Sequence, residues 1–267
     1  MTEEQRTALA ALRFSWAMAP DDVWRRSPFH VDGVHDSVAR DVRNGIAEAD
    51  AVPEIRSIVI TATGDKAFCA GMDLRGFAEG TGGAQSDEDK AGMAGYQRFV
   101  REGVETPVIG AANATAVAGG FELLLACDMV VASSAARFGL PEVKRSLFAA
   151  GGGVFLGGRI PLAIALELTL TGDYVAAERA YQLGLINRVV APEQVLDEAV
   201  ALADLIAANG PLGVQATKRL VRAAAVLPAE EVWAIQAELQ PTVFGSVDAK
   251  EGATAFIEKR APVWQGR

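Results

Sequence analysis

Three short segments of the chain combine glycines with polar residues of types that catalyse reactions. They are residues 66–75, residues 116–128, and residues 138–144, the last closely followed by the glycines of 149–153. Carboxylates such as Glu122 and Glu142 can move protons, and glycine lets a ligand approach the main chain closely. Taken singly, each segment is explained better by ordinary structure, because glycine turns and acids in the first turn of a helix are common.

Composition and missing motifs argue against several other chemistries. The 267 residues carry 25 Lys+Arg against 34 Asp+Glu, a formal charge of −9, which disfavours binding to nucleic acid or to an anionic membrane. Cys69 and Cys127 are too few for a disulfide scaffold or a cysteine-rich metal site. P-loop, Rossmann and esterase-elbow motifs are absent. His30 and His35 are better explained as polar residues at a helix start than as metal ligands.

The three segments follow predicted elements of an α/β fold. β-branched residues 56–63 predict a buried strand, and residues 107–111 and 128–132 predict two more. Between the last two, residues 119–127 have the composition of a short buried helix that is entered through glycines. Strand, helix and strand in this order indicate β-α-β crossovers and a largely parallel core.

The rest of the chain is mostly helical in pattern. Apolar spacing near 3.6 predicts helices over 161–170, 176–183, 192–208, 211–225, 229–244 and 248–259. A further helix is expected from Asp87 to about Glu105, after a mobile loop over 79–89. The first fifty residues offer only a strand at 10–17 and a helix over 31–49. We therefore expect an α/β core over residues 1–200 with an atypical start, and a helical C-terminal region over 201–267.

In combination, the motifs resemble those of the crotonase superfamily, the enoyl-CoA hydratase/isomerase family. The chain contains the A-G-x-D element (70–73), the A-G-G-x-E element (118–122) and the F-G-x-P-E element (138–142) in the family's order and spacing. The tail also matches, and the resemblance covers roughly residues 56–267. It implies a spiral of repeated ββα units, followed by C-terminal helices that mediate trimerisation.

The resemblance also implies the chemistry and the residues that perform it. Backbone N–H groups of Met72 and Gly119 would form an oxyanion hole for a thioester enolate. Glu122 would activate water and Glu142 would protonate Cα, and the two lie twenty residues apart, as in members that carry both catalytic glutamates. The implied reaction is reversible hydration of a trans-2-enoyl-CoA to a 3-hydroxyacyl-CoA, with no metal or redox cofactor.

Binding of coenzyme A requires local cations on this acidic chain. The resemblance places Lys66 and Arg75 near the CoA phosphates and Ala70 at the adenine. It pairs Phe256 with Lys259 as a contact that often reaches CoA bound to a neighbouring subunit. For the cations, an ordinary solvated surface residue is an equally good explanation.

The chain departs from the family pattern at its start, and this leaves alternatives open. The N-R-P-x-x-x-N-A-like loop that helps to cover the CoA nucleotide is missing, Ala149-Ala150 replaces the usual Pro-Gly, and Ser146 replaces a glycine. The alternatives to a hydratase are another acyl-CoA enzyme of this fold, such as an isomerase or lyase, and a non-catalytic acyl-CoA binder. The resemblance implies a homotrimer or dimer of trimers. We expect the protein to be cytoplasmic, since neither a signal peptide nor a spanning apolar run is apparent.

Overall fold

The computed structural model describes residues 46, 49–62, 64–72, 74–80 and 87–267, without the side chains of 75–76 and 87–93. The strand predicted at 10–17, most of the helix predicted over 31–49, and both histidines lie outside these residues, as does the centre of the loop predicted over 79–89. Within the described part, no single helix has the length and apolarity to cross a bilayer. One bent pair, 192–207 with 211–224, meets the test by length and composition together.

Seven strands and nine α-helices make up the described chain. The strands are β1 (Ile58–Thr61), β2 (Val108–Ala112), β3 (Ala116–Val117), β4 (Met129–Ser133), β5 (Arg137–Gly139), β6 (Val175–Ala176) and β7 (Arg188–Val190). The helices are α1 (Leu74–Ala78), α2 (Asp87–Glu102), α3 (Gly119–Ala126), α4 (Leu162–Thr171), α5 (Ala177–Gln182), α6 (Val195–Ala207), α7 (Pro211–Ala224), α8 (Ala229–Phe244) and α9 (Val247–Glu258). Short 3-10 helices cover Pro141–Arg145, Gly153–Gly158 and Pro192–Gln194.

The strands form two sheets, and the chain passes repeatedly from one sheet to the other. The larger sheet is fully parallel, in the order β1-β2-β4-β7, and the smaller has the order β3-β5-β6. In the smaller sheet β3 and β5 are parallel, whereas β6 is antiparallel to β5. A parallel bridge from Cys69 to Ala116 adds the segment after β1 to this second sheet. The predicted α/β spiral of ββα units is therefore confirmed.

The core lies between the larger sheet and helices on its two sides. Every residue of β2 is buried, as expected for a central parallel strand, and α3 buries Gly120 through Ala126. Helix α6 packs across β1, β2 and β4 through a second apolar cluster that includes Ile109, Val131 and Ala199. Helix α2 packs on α3, which brings it to the side of the core where the glycine segments meet.

The three predicted strands and the buried helix agree with the structure to within two residues at each end. The C-terminal helices also agree, apart from a 3-10 turn at Pro192–Gln194 that precedes α6. The helix predicted to continue to about Glu105 ends at Glu102. The smaller sheet was not predicted, because strands of two or three residues are too short to show a period.

Candidate functional site

Two chain segments run side by side at the C-terminal end of the smaller sheet. The N–H of Phe68 donates to the Thr115 carbonyl (2.8 Å), and the N–H of Val117 donates to the Cys69 carbonyl (3.0 Å). This pairing brings the turn at Gly71, which precedes Met72, beside the start of α3 at Gly119. The two residues predicted to supply oxyanion-hole N–H groups therefore follow adjacent, parallel stretches of main chain.

Glycines allow these two segments to approach as closely as they do. Gly71 has φ of 89°, and a Cβ on it would lie 2.6 Å from the Ala118 Cβ and 3.2 Å from the Gly119 nitrogen. A Cβ on Gly120 would lie 2.3 Å from the Cys69 carbonyl oxygen. The distances of 2.6 Å and 2.3 Å are shorter than real side chains allow, so the close approach of the segments requires glycine at positions 71 and 120.

The entry into α3 is strained. Ala118, the residue before the helix, has φ of 51° and ψ of −132°, a conformation that non-glycine residues rarely adopt. Its N–H donates to the Gly139 carbonyl (2.9 Å), which ties the bend to β5. As the first residue of α3, Gly119 has an N–H that the helix leaves without an internal acceptor, and the helix dipole adds positive potential there.

Glu122 lies in the first turns of α3 and is only 5% exposed. Its Oε1 accepts a hydrogen bond from the N–H of Gly153 (2.8 Å), and a Cβ on Gly151 would lie 2.5 Å from its Oε2. The glycines after residue 150 therefore wrap around this carboxyl. Burial raises the pKa of Glu122 above the ordinary glutamate value, and the N–H groups of Gly153 and Gly151 partly oppose this effect.

Glu142 is the second residue of the 3-10 helix that follows β5, after Pro141. Its Oε2 is buried and accepts no hydrogen bond from any described residue. Burial raises the pKa of Glu142, its own backbone N–H lowers it, and the nearby charge of Glu122 raises it further. The charge of Glu122 thus acts on Glu142, and a buried carboxyl beside a like charge retains a proton more readily than an isolated glutamate does.

Tyr96 is a part of this site that the sequence analysis did not identify. It lies on α2, is 8% exposed, and its hydroxyl donates to the Gly119 carbonyl (2.8 Å). The apolar spacing of Tyr96 with Phe99 and Val100 could have predicted a buried side chain. No pattern in the sequence could have predicted the partner of its hydroxyl, because α2 and α3 meet only in the fold.

The residues predicted to bind CoA occupy two regions. Lys66 is exposed after the turn that ends β1, and Ala70 is partly buried beside Gly71. Arg75 lies on α1, and its side chain is outside the described atoms. Phe256 (86% exposed) and Lys259 lie at the end of α9. Among the described hydrogen bonds and ion pairs, none joins Phe256 or Lys259 to either glutamate.

The described residues contain no group of three or more His, Cys, Asp or Glu side chains placed to hold a metal ion.

Comparison with known proteins identifies the family to which this arrangement belongs. Residues 26–267 match the family model for enoyl-CoA hydratase/isomerase. A carnitinyl-CoA dehydratase of Proteus mirabilis is 41% identical over 220 residues, covering 80% of this chain and 83% of that protein. An enoyl-CoA hydratase of Mycobacterium tuberculosis is 40% identical over 220 residues, covering 82% of each protein.

Solved structures agree with the sequence comparison. The crystal structure of an enoyl-CoA hydratase from Mycobacterium tuberculosis superposes with a TM-score of 0.79 at 42% identity, covering 88% of this chain and 90% of that one. The fold and the family match place the chain among enzymes of the crotonase type. The chain belongs to the enoyl-CoA hydratase/isomerase family.

Proposed function

We propose that the protein is an enoyl-CoA hydratase that adds water reversibly to a trans-2-enoyl-CoA and gives a 3-hydroxyacyl-CoA. The observation that carries this proposal is a pair of buried carboxyls. Glu122 is 5% exposed and accepts a hydrogen bond from the N–H of Gly153, and the Oε2 of Glu142 is buried with no hydrogen-bond partner among the described residues. Glu122 lies in the first turn of α3, the helix that begins at Gly119.

The main chain has the task of stabilising negative charge on the thioester oxygen. Attack of water at Cβ moves the double-bond electrons toward the carbonyl and creates an enolate. In our proposal, the N–H groups of Met72 and Gly119 donate to that oxygen. A donor of this kind is typically worth about 3–4 kcal/mol in the transition state. A Cβ on Gly71 would lie only 3.2 Å from the Gly119 nitrogen, and this close approach of the two segments supports the assignment.

The two glutamates have the task of moving the protons. We assign Glu122 as the base that takes a proton from water as its oxygen bonds to Cβ. We assign Glu142 as the acid that delivers a proton to Cα, which restores the carbonyl and completes the addition. One carboxyl must start ionised and the other protonated, and the raised pKa values of the pair favour such a shared proton. In this scheme CoA enters only as part of the substrate, and no step transfers an electron or needs a metal.

Two classes of acyl-CoA are candidate substrates. The relatives at about 40% identity include an enoyl-CoA hydratase and a carnitinyl-CoA dehydratase. Dehydration of a 3-hydroxyacyl-CoA is the same reaction run backwards, so the same two glutamates would serve both. The second candidate is therefore a dehydratase for a 3-hydroxyacyl-CoA with a polar acyl chain, which the 41% identity to the Proteus protein favours.

Substitution of each glutamate tests the assignment directly. We expect Glu122→Gln and Glu142→Gln each to lower kcat for hydration by about 10²–10⁴-fold, because each removes a proton-transfer group. Glu178→Gln, on the exposed surface of α5, is the matched control and should keep parental activity. Loss of the enoyl absorbance in the ultraviolet measures hydration. Parental rates in both glutamine variants would refute the roles assigned here.

The substrate is tested with a panel of 2-enoyl-CoA and 3-hydroxyacyl-CoA thioesters of increasing length and with a charged acyl chain. Water addition without migration of the double bond supports a hydratase, whereas migration points to an isomerase. An acyl-CoA binder without catalysis would bind the thioesters equally well in the parent and in Glu122→Gln, with no turnover in either.

We further propose that the chain divides into an α/β core over 1–200 and a helical region over 201–267 that joins subunits. Lys66, Ala70 and Arg75 would contact CoA in the same chain, and Phe256 and Lys259 would contact CoA bound to a neighbouring subunit. The exposed apolar side chains of α8 and α9, Trp233, Phe244, Phe256 and Ile257, support a homotrimer or dimer of trimers. Neither α7 nor α8 has a fully buried residue in the single chain.

A further inference from the structure

The hydroxyl of Tyr96 lies between two parts of the site that come from distant positions in the chain. It donates a hydrogen bond of 2.8 Å to the Gly119 carbonyl. It also lies 3.3 Å from the point that a Cβ on Gly151 would occupy, next to the glycines that bind Glu122. The phenol thus bridges the residue with the proposed oxyanion-hole N–H and the segment that holds the proposed base.

The start of α3 needs such an external restraint. Gly119 and Gly120 are consecutive glycines, which have the greatest backbone freedom, and they follow Ala118 in its strained conformation. No side chain caps the N-terminus of α3. The hydrogen bond from Tyr96 holds the carbonyl of Gly119, and because this carbonyl and the N–H of Gly119 share one Cα, it also restricts the direction of the N–H.

The hydroxyl is more than a means of filling space. A phenylalanine would fill the same apolar volume between α2 and α3 without the cost of burying a hydroxyl. Burial raises the pKa of Tyr96 well above the ordinary value, and the titratable groups that face it among the described residues, Glu122, Cys69 and Glu142, raise it further. The phenol therefore stays protonated and remains a hydrogen-bond donor across the working pH range.

We propose that Tyr96 is a positioning residue for the hydration reaction, whose hydroxyl fixes Gly119 so that its N–H points at the thioester oxygen. This inference rests on the proposed function, since it assigns Gly119 to the oxyanion hole. It does not make Tyr96 a proton donor to the substrate. The expected consequence is an effect on the transition state that exceeds the effect on binding.

The variant Tyr96→Phe tests this proposal, with Tyr181→Phe on the exposed surface of α5 as the matched control. We expect Tyr96→Phe to lower kcat about tenfold and to change KM by less than about twofold, as for the loss of one neutral hydrogen bond that matters mainly in the transition state. Tyr181→Phe should match the parent. A kcat within about twofold of the parent in Tyr96→Phe would overturn the proposal, as would a loss confined to KM.

A spectroscopic measurement separates positioning from a general loss of structure. Butanoyl-CoA labelled with ¹³C at the carbonyl has no double bond to hydrate, and its infrared stretching frequency falls when the oxygen accepts hydrogen bonds. We expect a smaller fall in Tyr96→Phe than in the parent, with a thermal midpoint lowered by only about 2–4 °C. An equal frequency in the two proteins would refute the positioning role even if kcat had fallen.

The same measurement distinguishes this inference from the proposed function. If the parent hydrates no enoyl-CoA but the carbonyl frequency still depends on Tyr96, the proposed reaction fails and the positioning role stands. If the parent is an active hydratase and the frequency is independent of Tyr96, the reverse holds.

Discussion

Gly120 shows how little room the main chain of the site leaves for change. A Cβ there would overlap the carbonyl oxygen of Cys69 at 2.3 Å, and backbone cannot move aside as a flexible side chain can. We expect Gly120→Ala to lower the free energy of unfolding by about 1–3 kcal/mol, because α3 must shift away from the Cys69 segment. The same shift should displace the N–H of Gly119 and lower hydration activity at least tenfold in the assay above.

Gly213→Ala is the matched control for this substitution. Gly213 lies on α7, and a Cβ there would meet nothing within 4 Å. It should raise the free energy of unfolding by up to about 1 kcal/mol, as alanine usually does in a helix. Equal stability of Gly120→Ala and the parent in urea unfolding would contradict the geometry described here.

The raised pKa values of Glu122 and Glu142 predict the pH dependence of the reaction. Glu122 must be ionised to act as base, so kcat/KM should fall as the pH drops through an apparent pKa above the ordinary value of 4.5. Glu142 must be protonated to act as acid, so kcat/KM should fall again as the pH rises through its own raised pKa. The profile of kcat/KM against pH should therefore be bell-shaped, with both apparent pKa values belonging to the pair. An acid limb centred at or below 4.5 would contradict this assignment.

At the scale of single residues, short motifs in the sequence single out the two glutamates but not the groups that contact them in the fold. Glu122, Glu142 and Gly119 each belong to a short motif of neighbouring residues. Tyr96, and the N–H groups of Gly151 and Gly153 that surround Glu122, come together only through packing of α2 and the 3-10 segment on α3. Such partners depend on contacts between distant parts of the chain, which no short pattern encodes.

At the scale of elements, one carboxylate joins α7 to the large sheet. Asp128 precedes β4, and it forms ion pairs of 2.7 Å with Lys218 and 2.8 Å with Arg222, both on α7. It also accepts the N–H of Val108 (2.7 Å), the first residue of β2. Lys218 in turn donates to the Thr106 carbonyl (2.8 Å). Side chains of Asp128 and Lys218 are only 13% and 11% exposed, so little solvent screens this pair.

We expect Asp128→Asn to lower the free energy of unfolding by about 3–5 kcal/mol, because it leaves the buried ammonium of Lys218 without its counter-charge. The matched control is Glu198→Gln, which removes the carboxylate of a more exposed pair with Arg188. That change should cost no more than about 1 kcal/mol. Urea unfolding of both variants measures the difference. Equal losses in the free energy of unfolding would contradict the larger contribution expected of the Asp128 network.

The burial and length of the elements explain which of them could be predicted from the sequence. Strands β1, β2 and β4 are buried on both faces and appear as continuous β-branched or apolar runs. Helix α4 and helices α6 to α9 have ten or more residues, which is long enough to show helical spacing. Strands β3, β5 and β6 have two or three residues each, and their pairing with the Cys69 segment is set by the crossovers and not by local propensity.

At the scale of the whole molecule, the C-terminal helices expose several large apolar side chains. Trp233 on α8 is 64% exposed and Phe244 at its end is 76% exposed, and Phe256 and Ile257 on α9 are also exposed. Exposed apolar patches of this kind usually mark an interface. A second copy of the chain is the occupant that our proposal requires, because α9 also carries Phe256 and Lys259 at the proposed CoA contact of a neighbouring subunit.

We expect the parent to sediment at micromolar concentration with the mass of a trimer or of a dimer of trimers. The double variant Trp233→Glu with Phe244→Glu should shift the mass toward the monomer, because two carboxylates would be desolvated in the contact. It should also raise KM for an enoyl-CoA more than it lowers kcat, since the glutamate pair and the Gly119 bend lie in the α/β core and remain intact. Val52→Glu, which also places a charge on an exposed apolar residue but away from these helices, should keep the parental mass and KM. A monomeric parent with full activity would refute the shared-site assembly while leaving the catalytic assignment untouched.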